Sequence, residues 1–198
     1  MPRITAPTIA EHVATQEAAV VAAARRLFVE RGVAAVSIGD IATEVGLRRT
    51  SLYRYFPTKA HILQRWFDLE MDPLIERSLA VTGEYDDPAV ALADWLDVQL
   101  DFITDEAHTS LVDATASATD LPPEVLAHFG ERHRELYATL DGLLRHAARP
   151  APAPALRRVR AQLIAGLLRS SADLLARGVR HADVRRELHR AATAVAGL

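Results

Sequence analysis

The stretch SIGDIATEVGLRRTSLYRYFPTK, residues 37–59, has the pattern of two short helices joined by a tight turn. Ser37 followed by Asp40 predicts a capping box at the start of the first helix. Apolar residues then recur at helical spacing, and Gly46 ends the helix because the turn requires a residue that tolerates a left-handed backbone. Counted from Ile38, a small residue is fifth, a glycine ninth and a leucine fifteenth. This spacing predicts a helix-turn-helix, with two ordinary packed helices as the alternative.

The composition is that of a globular protein. The chain has 198 residues, 49% of them apolar, which is enough for one or two domains with a sizeable core. It contains no cysteine, which excludes disulfides, thiolate metal sites and cysteine nucleophiles. No apolar run reaches the ~18 residues of a membrane span, and no signal peptide is recognisable. We therefore expect a cytoplasmic protein without a membrane partner.

Basic charge is concentrated in the helix-turn-helix segment. The chain as a whole has a formal net charge of −3, which argues against nonspecific coating of nucleic acid. Residues 37–66 nevertheless contain five bases and two acids, a local charge of +3. Lys59 is the only lysine of the chain, and all other bases are arginine. This distribution predicts that the segment contacts DNA while the remainder stays away from it.

The remainder of the chain shows helical periodicity and no strand pattern. The predicted fold is all-α with about nine helices. Residues 1–58 are predicted to form an N-terminal arm and a three-helix DNA-binding domain that contains the helix-turn-helix. Residues 59–198 are predicted to form a helical ligand-binding and dimerisation domain. Its first helix should bend near Pro73, and the proline-rich residues 149–155 should form an extended connector.

The last two helices carry apolar residues at heptad-like steps of four and three. The helix at about 156–177 is apolar on two sides, and such an element usually faces a core on one side and a partner on the other. We predict a homodimer in which two helices from each subunit form a four-helix interface, with burial inside one subunit as the alternative. The predicted interface residues are Leu163, Leu167, Ser170, Leu174, Val184, Leu188, Ala191 and Val195.

Residues 22–63, AAARRLFVERGVAAVSIGDIATEVGLRRTSLYRYFPTKAHIL, resemble the TetR family of bacterial transcriptional regulators. The resemblance combines the helix-turn-helix spacing with a Tyr53-x-x-Phe56-x-x-Lys59 continuation, which generic helix-turn-helix proteins lack. It departs mildly at Tyr55, where the family commonly has histidine, and at Gly39, where a better helix former is usual. The resemblance implies a homodimeric repressor, less often an activator, that binds a near-palindromic operator. It also implies a small-molecule effector that binds the C-terminal domain and releases the DNA.

The outward side chains of the second helix and its flanks are the candidate DNA-binding residues. An arginine at the start of this helix can bind guanine bidentately, for about 1–3 kcal/mol of discrimination, so Arg48 and Arg49 are predicted to reach base edges. The resemblance implies phosphate contacts by Ser37 and Lys59 and a phosphate or base contact by Tyr53. The full predicted set is Ser37, Arg48, Arg49, Thr50, Ser51, Tyr53, Arg54, Tyr55 and Lys59. A solvated position is an equal alternative for Arg54.

Polar and aromatic residues in the middle helices are candidates for an effector pocket. Their chemistry suggests a neutral or weakly basic amphiphile, and the alternative is that they are ordinary core aromatics and surface polar residues. The predicted set is Trp66, Trp95, Gln99, Phe102, His108, Asp113, Phe129, His133, Tyr137 and Asp173.

The sequence also offers residues for other functions. Glu124, His128, Glu131 and Glu135 share one helical face, with His133 adjacent, and could bind a divalent ion in a metal-responsive regulator. A solvated charged face explains them better, so no metal site is predicted. No Ser/His/Asp arrangement or glycine-rich phosphate loop suggests catalysis, so we expect neither enzymatic activity nor a cofactor. A DNA-binding protein without an effector remains as the alternative function.

Overall fold

The computed structural model describes residues 9–118, 120–147 and 151–198, and these residues form helices joined by turns and loops, with no strand among them. The helices are α1 (Ile9–Arg31), α2 (Ile38–Glu44), α3 (Arg49–Leu52), α4 (Lys59–Glu84), α5 (Pro88–Thr104), α6 (Glu106–Ala116), α7 (Pro123–His146), α8 (Pro154–Ala176) and α9 (His181–Ala196). The prediction of an all-α fold with about nine helices is therefore confirmed. Over the same residues, no helix has the length and apolar character needed to cross a bilayer. The predicted N-terminal arm and the start of the predicted connector lie outside the described residues.

Local sequence signals fix the start of α5. Asp87 caps α5 by accepting a hydrogen bond from the N–H of Ala89 at 2.8 Å, and Pro88 occupies the first helical position, where its missing N–H costs nothing. Pro73 lies inside α4, and the helix continues past it to Glu84.

The chain divides into two compact units. The first contains Met1–Leu69 and Ser110–Phe129, and the second contains Glu70–Thr109 and Gly130–Leu198. The predicted boundary after residue 58 does not coincide with this division, because the first unit also includes the start of α4 and the segment 110–129. The assignment of DNA binding to the N-terminal part and of ligand binding to the remainder stays a prediction.

In the first unit, α1 packs on α2, and α2 packs on α3. The fully buried side chains here include Phe28 near the end of α1, Ile41 of α2 and Leu52 of α3. Burying one such side chain stabilises the fold by about 1.5–3 kcal/mol. The N–H of Val33, in the loop after α1, donates to the hydroxyl of Ser117 at 3.2 Å, which ties the segment after α6 to this unit. The helix-turn-helix therefore rests on an apolar frame.

In the second unit, α5, α8 and α9 pack against one another. Their core contains Leu92, Leu96 and Leu100 of α5 together with Leu168 of α8 and Leu188 of α9. Two polar side chains buried in this unit are hydrogen-bonded to hydroxyl groups, which offsets the cost of removing them from water. The indole N–H of Trp95 donates to the Thr139 hydroxyl, and the Gln99 amide donates to the Ser78 hydroxyl, each at 2.8 Å.

Candidate nucleic-acid interface

The start of α2 is fixed by a reciprocal capping box, as predicted. The Ser37 hydroxyl accepts from the N–H of Asp40 at 3.1 Å, and the Asp40 carboxylate accepts from the N–H of Ser37 at 2.8 Å. The same carboxylate accepts the Ser37 hydroxyl proton at 2.6 Å. The hydrogen bond from this hydroxyl, followed by that from the backbone N–H, lowers the pKa of the Asp40 carboxyl group. Because the hydroxyl proton is already donated to Asp40, a phosphate contact by Ser37 would require that proton to turn away.

The turn between α2 and α3 is a Schellman motif centred on Gly46. The N–H of Leu47 donates to the carbonyl of Ala42 at 2.8 Å, and the N–H of Gly46 donates to the carbonyl of Thr43 at 3.1 Å. Gly46 has φ of +67°, a left-handed conformation that costs glycine little. The motif satisfies the last carbonyls of α2 and sets the direction in which α3 departs.

The second helix of the motif, α3, is short, and hydrogen-bonded turns continue it through Tyr55. Leu52 is 0% exposed, so it anchors this segment to α2 and holds the opposite face outward. Of the predicted DNA-binding residues, Ser37, Arg48, Arg49, Thr50, Tyr53 and Arg54 are exposed, whereas Ser51, Tyr55 and Lys59 are half-buried. The exposed face of α3 therefore carries arginine, hydroxyl and phenol groups, the donors that reach base edges and phosphates.

Arg49 and Tyr53 contact each other across one helical turn. The Arg49 Nη2 and Nε groups donate to the Tyr53 hydroxyl at 3.0 and 3.3 Å. The guanidinium carbon also lies 5.6 Å from the centre of the Tyr53 ring, within cation–π range. This pairing orders two long side chains on the exposed face before any ligand arrives, which lowers the entropy lost on binding.

The structure places Lys59 differently from the sequence prediction. Its ammonium group donates to the main-chain carbonyls of Val33 at 2.6 Å, Val36 at 3.1 Å and Ala34 at 3.3 Å. An ammonium has three N–H donors, so all of them are used by the loop between α1 and α2. Lys59 therefore clamps that loop to the start of α4. The predicted phosphate contact stays a prediction, and it would require the ammonium to leave at least one carbonyl.

The predicted dimer residues of α8 and α9 divide into two groups. Leu163 and Leu174 are 54% and 44% exposed, and Leu156 and Val159 of the same helix are exposed as well, so α8 carries an apolar surface that favours a partner. By contrast, Val184 and Leu188 of α9 are 4% and 3% exposed. Their heptad-like steps are thus satisfied by packing inside the subunit, the alternative that the sequence left open, and their place in a dimer interface stays a prediction.

A mainly apolar groove of about 320 Å³ runs between α8 and α9. Six of the eight predicted dimer residues line it: Leu167, Ser170, Leu174, Val184, Leu188 and Ala191. Of these, Val184 and Leu188 are the buried residues. Val195 and Ala191 are half-buried. A second copy that covers this groove would contact α8 directly and α9 chiefly at the groove floor. The dimer interface stays a prediction.

The predicted effector residues divide between the two compact units. Trp66 and Phe129 are buried in the first unit, where the Arg25 guanidinium lies 5.3 Å from the Trp66 ring and Phe67 lies 4.4 Å from Phe129 between ring centres. In the second unit, Trp95 and Gln99 are buried and hydrogen-bonded to core hydroxyls. Asp113, His133, Tyr137 and Asp173 are exposed, and Phe102 and His108 are half-buried.

His108 is the one member of that set with an unsatisfied buried atom. Its ring lies against Phe102 with 4.2 Å between centres, and its Nδ1 atom has no hydrogen-bond partner among the described residues. Burial is the main cause that lowers the pKa of His108, and the nearby His133 lowers it further, while Asp105 opposes both. A neutral ring at neutral pH follows from these surroundings.

Three of the α7 residues considered as metal ligands are paired with other charged side chains. Glu135 is paired with Arg132, and Glu131 lies 3.6 Å from Arg134. His128 Nε2 lies 2.6 Å from the Asp68 carboxylate. Over the ranges the structure describes, no three histidine or acidic side chains are grouped so as to hold a metal ion. These pairs support the interpretation of a solvated charged face.

The segment that contains α2 and α3 is similar to known DNA-binding regulators. Residues 20–65 match the family model of bacterial regulatory proteins of the tetR family. The HTH-type transcriptional regulator EthR of Mycolicibacterium smegmatis is 38% identical over 63 residues, which are 32% of this chain and 27% of that relative. The chain thus matches a minor part of that relative's length.

Solved structures resemble the chain over nearly its whole length. The fatty acid degradation regulator FadR from Bacillus halodurans is 17% identical, with a TM-score of 0.69 over 92% of this chain and 95% of that one. A transcriptional regulator from Saccharomonospora viridis in complex with choline is 19% identical, with a TM-score of 0.68 over 89% and 95%. The regulator FadR from Bacillus subtilis in complex with stearoyl-CoA is 19% identical, with a TM-score of 0.67 over 91% and 96%. At such identities the likeness shows a shared fold, and the family model supplies the assignment of the N-terminal segment. Residues 20–65 thus match the tetR family of bacterial regulatory proteins, and the chain shares its fold with these solved regulators.

Proposed function

We propose that this protein is a homodimeric transcriptional regulator, most simply a repressor, that binds a near-palindromic operator. The observation that carries the proposal is the helix-turn-helix itself. A capped α2 and the Gly46 turn hold α3 on the buried Leu52, and Arg48, Arg49 and Tyr53 are exposed on its outer face. In such a motif the second helix enters the major groove and its first residues contact base edges. Under this proposal the protein acts in the cytoplasm, by binding its operator and not by catalysis.

The proposed dimer supplies the geometry that a palindrome requires. Two symmetry-related α3 helices must lie about 34 Å apart to enter successive major grooves on one face of the duplex. The exposed Leu163 and Leu174 on α8, together with the groove between α8 and α9, support an interface in the second unit. A twofold arrangement of that kind would present both α3 helices to one DNA molecule.

A small-molecule effector is proposed to release the DNA. Structures of two proteins with this fold were determined with bound small molecules, choline in one and stearoyl-CoA in the other. In a population-shift mechanism, the effector stabilises a conformer whose two α3 helices no longer match the groove spacing. The effector must bind that conformer more tightly, because equal affinity for both states shifts nothing.

The DNA-binding proposal is tested by gel shift with the protein's own promoter region at physiological salt. Arg49→Ala removes a base contact, and we expect affinity to fall by 1–3 kcal/mol, or roughly 5- to 150-fold. Tyr53→Phe keeps the ring but removes the hydroxyl that orders Arg49, so a smaller loss is expected. Arg177→Ala, an exposed arginine after α8, is the charge-matched control and should bind normally. Normal binding by Arg49→Ala would contradict the proposal.

A DNA-binding regulator without an effector is the second candidate. The observation in its favour is that Trp95 and Gln99, two predicted effector contacts, have their polar atoms bonded inside the core. This candidate predicts that no small molecule changes the affinity for the operator. Thermal unfolding of the protein with a panel of metabolites, followed by gel shifts with every stabilising compound, distinguishes the two. A compound that both stabilises the protein and releases DNA would eliminate the second candidate.

A further inference from the structure

A cavity of about 600 Å³ lies between α7 and α8 in the second unit. Its volume falls within the 300–1,000 Å³ of typical small-molecule sites. The polar side chains that line it are Tyr137 and Asp141 from α7 and Arg157, Arg158, Gln162 and Arg169 from α8. Ala161 and Ala165 lie between the arginines along α8 and give the cavity apolar surface, and Tyr137 lines it from α7. Of these residues, the sequence pointed only to Tyr137 as an effector contact.

The charges around this cavity leave an excess of positive charge. Asp141, the one carboxylate in the lining, accepts from Arg157 at 2.8 and 3.3 Å. Arg157 also donates to the carbonyl of Pro152 at 2.8 Å, so its guanidinium is held in place. Arg158 and Arg169 have no ion pair with any described residue. Two guanidinium groups therefore remain available to a ligand in the cavity.

The cavity stays open in the proposed dimer. Arg158, Gln162, Ala165 and Arg169 follow one another at steps of four, three and four, so they form a single stripe along α8. The predicted interface residues Leu163, Leu167, Ser170 and Leu174 follow the same steps, five residues later. Five residues of α-helix correspond to a rotation of about 140°. A partner subunit seated on the leucines would therefore lie on a different side of α8 from the cavity.

We propose that this cavity binds a small amphipathic organic anion, with an apolar body and a carboxylate, sulfonate or phosphate head group. A guanidinium matches the planar geometry of such head groups and binds them bidentately. Arg158 and Arg169 are eleven residues apart, about 16 Å along the helix axis, so the head group contacts a guanidinium at one end while the body lies over the alanines. The proposal rests on the proposed function in naming the effector class, and it replaces the neutral or weakly basic ligand expected from sequence.

The test uses two fluorescent probes that differ in the anionic group. The dye 8-anilinonaphthalene-1-sulfonate carries a sulfonate on its ring system, and N-phenyl-1-naphthylamine is the same ring system without it. We expect the unaltered 198-residue chain to bind the sulfonate at micromolar concentration. The double variant Arg158→Gln/Arg169→Gln should weaken sulfonate binding at least tenfold and leave the neutral dye unaffected. The double variant Arg177→Gln/Arg180→Gln removes the same charge from exposed positions outside the cavity and should bind like the unaltered protein.

A further variant keeps the test decisive if removing two arginines harms folding. Gln162→Trp fills the cavity from an exposed position and retains every charge, so both dyes should bind at least tenfold more weakly. The proposal is overturned if the arginine double variant binds the sulfonate within twofold of the unaltered protein, or if Gln162→Trp does so.

Gel shifts on the same variants without dye separate this inference from the proposed function. Operator binding should be unchanged in all of them, because none of the substitutions lies in the helix-turn-helix. Arginine-independent dye binding with a normal gel shift would refute the anion site and leave the regulator standing. If dye binding depends on the arginines but the protein does not bind its promoter region, the anion site stands and the proposed regulator is refuted.

Discussion

Replacing Lys59 by methionine tests whether this residue clamps the loop before α2 or binds a DNA phosphate. In the structure its ammonium donates to three carbonyls, of Val33, Ala34 and Val36. Methionine keeps the apolar part of the side chain and removes all three donors. The carbonyls are then left without their charged partner, next to the serine that caps α2.

The expected loss of stability can be worked from these three contacts. A hydrogen bond to a charged group contributes about 1.5–3 kcal/mol. The contact to Ala34 is long and exposed, so water replaces it at little cost. The contacts to Val33 and Val36 are partly buried, and relaxation of the loop recovers some of their energy. We therefore expect Lys59→Met to lower the free energy of unfolding by about 3 kcal/mol.

Urea unfolding and the salt dependence of operator binding together separate the two roles. A clamp predicts lower stability and weaker binding, with an unchanged slope of log affinity against log salt concentration. A phosphate contact predicts normal stability and a slope reduced by about 0.9. Lys59→Arg sharpens the comparison, because a planar guanidinium can bind phosphate but cannot converge on three carbonyls. Arg65→Met, an exposed base in the same helix, is the charge-matched control.

One pattern of results would refute the clamp. Neutral surface substitutions usually change the free energy of unfolding by less than about 0.5 kcal/mol. If Lys59→Met changes it by no more than that, and the salt slope of operator binding falls by about 0.9, the carbonyl contacts contribute no stability. Full recovery of both properties by Lys59→Arg would point the same way.

Three further predictions concern Ser37, Leu163 and His108. Ser37→Ala should cost about 1 kcal/mol by removing the α2 cap. The pKa of Asp40 is lowered in the fold, chiefly by the Ser37 hydroxyl, so the contribution of this carboxylate is present above its unfolded pKa of about 3.9 and lost as pH falls through the folded value. An acid titration of the variant should show a weaker dependence, because the N–H of residue 37 still donates to Asp40. Leu163→Glu should give monomers in sedimentation velocity, whereas Val112→Glu, equally exposed but outside the predicted interface, should stay dimeric; identical behaviour would count against the interface. Burial lowers the pKa of His108, so stability should decline as pH falls below its unfolded pKa of about 6.5, and His108→Gln should remove that decline in urea titrations from pH 8 to 5.

The helix-turn-helix could be predicted from sequence because its determinants are local. The cap joins residues three apart, the Gly46 turn depends on one backbone conformation, and Leu52 faces inward because of helical periodicity. Each of these features links a residue type to a geometry within a few positions of the chain. The same holds for the exposed leucines on α8, whose steps of four and three mark one face of a helix.

Other features were decided by tertiary structure alone. The carbonyls that bind Lys59 lie 23 to 26 residues earlier in the chain. Every residue has a main-chain carbonyl, so no residue type indicates which ones accept from the ammonium. Periodicity shows that α9 has an apolar face but not what covers it, and here the subunit itself covers Val184 and Leu188. Likewise, the arginine stripe of α8 resembles any solvated helix face until α7 is packed beside it to form a cavity. Sequence determines which faces a helix has, and the packing of distant helices determines what each face meets.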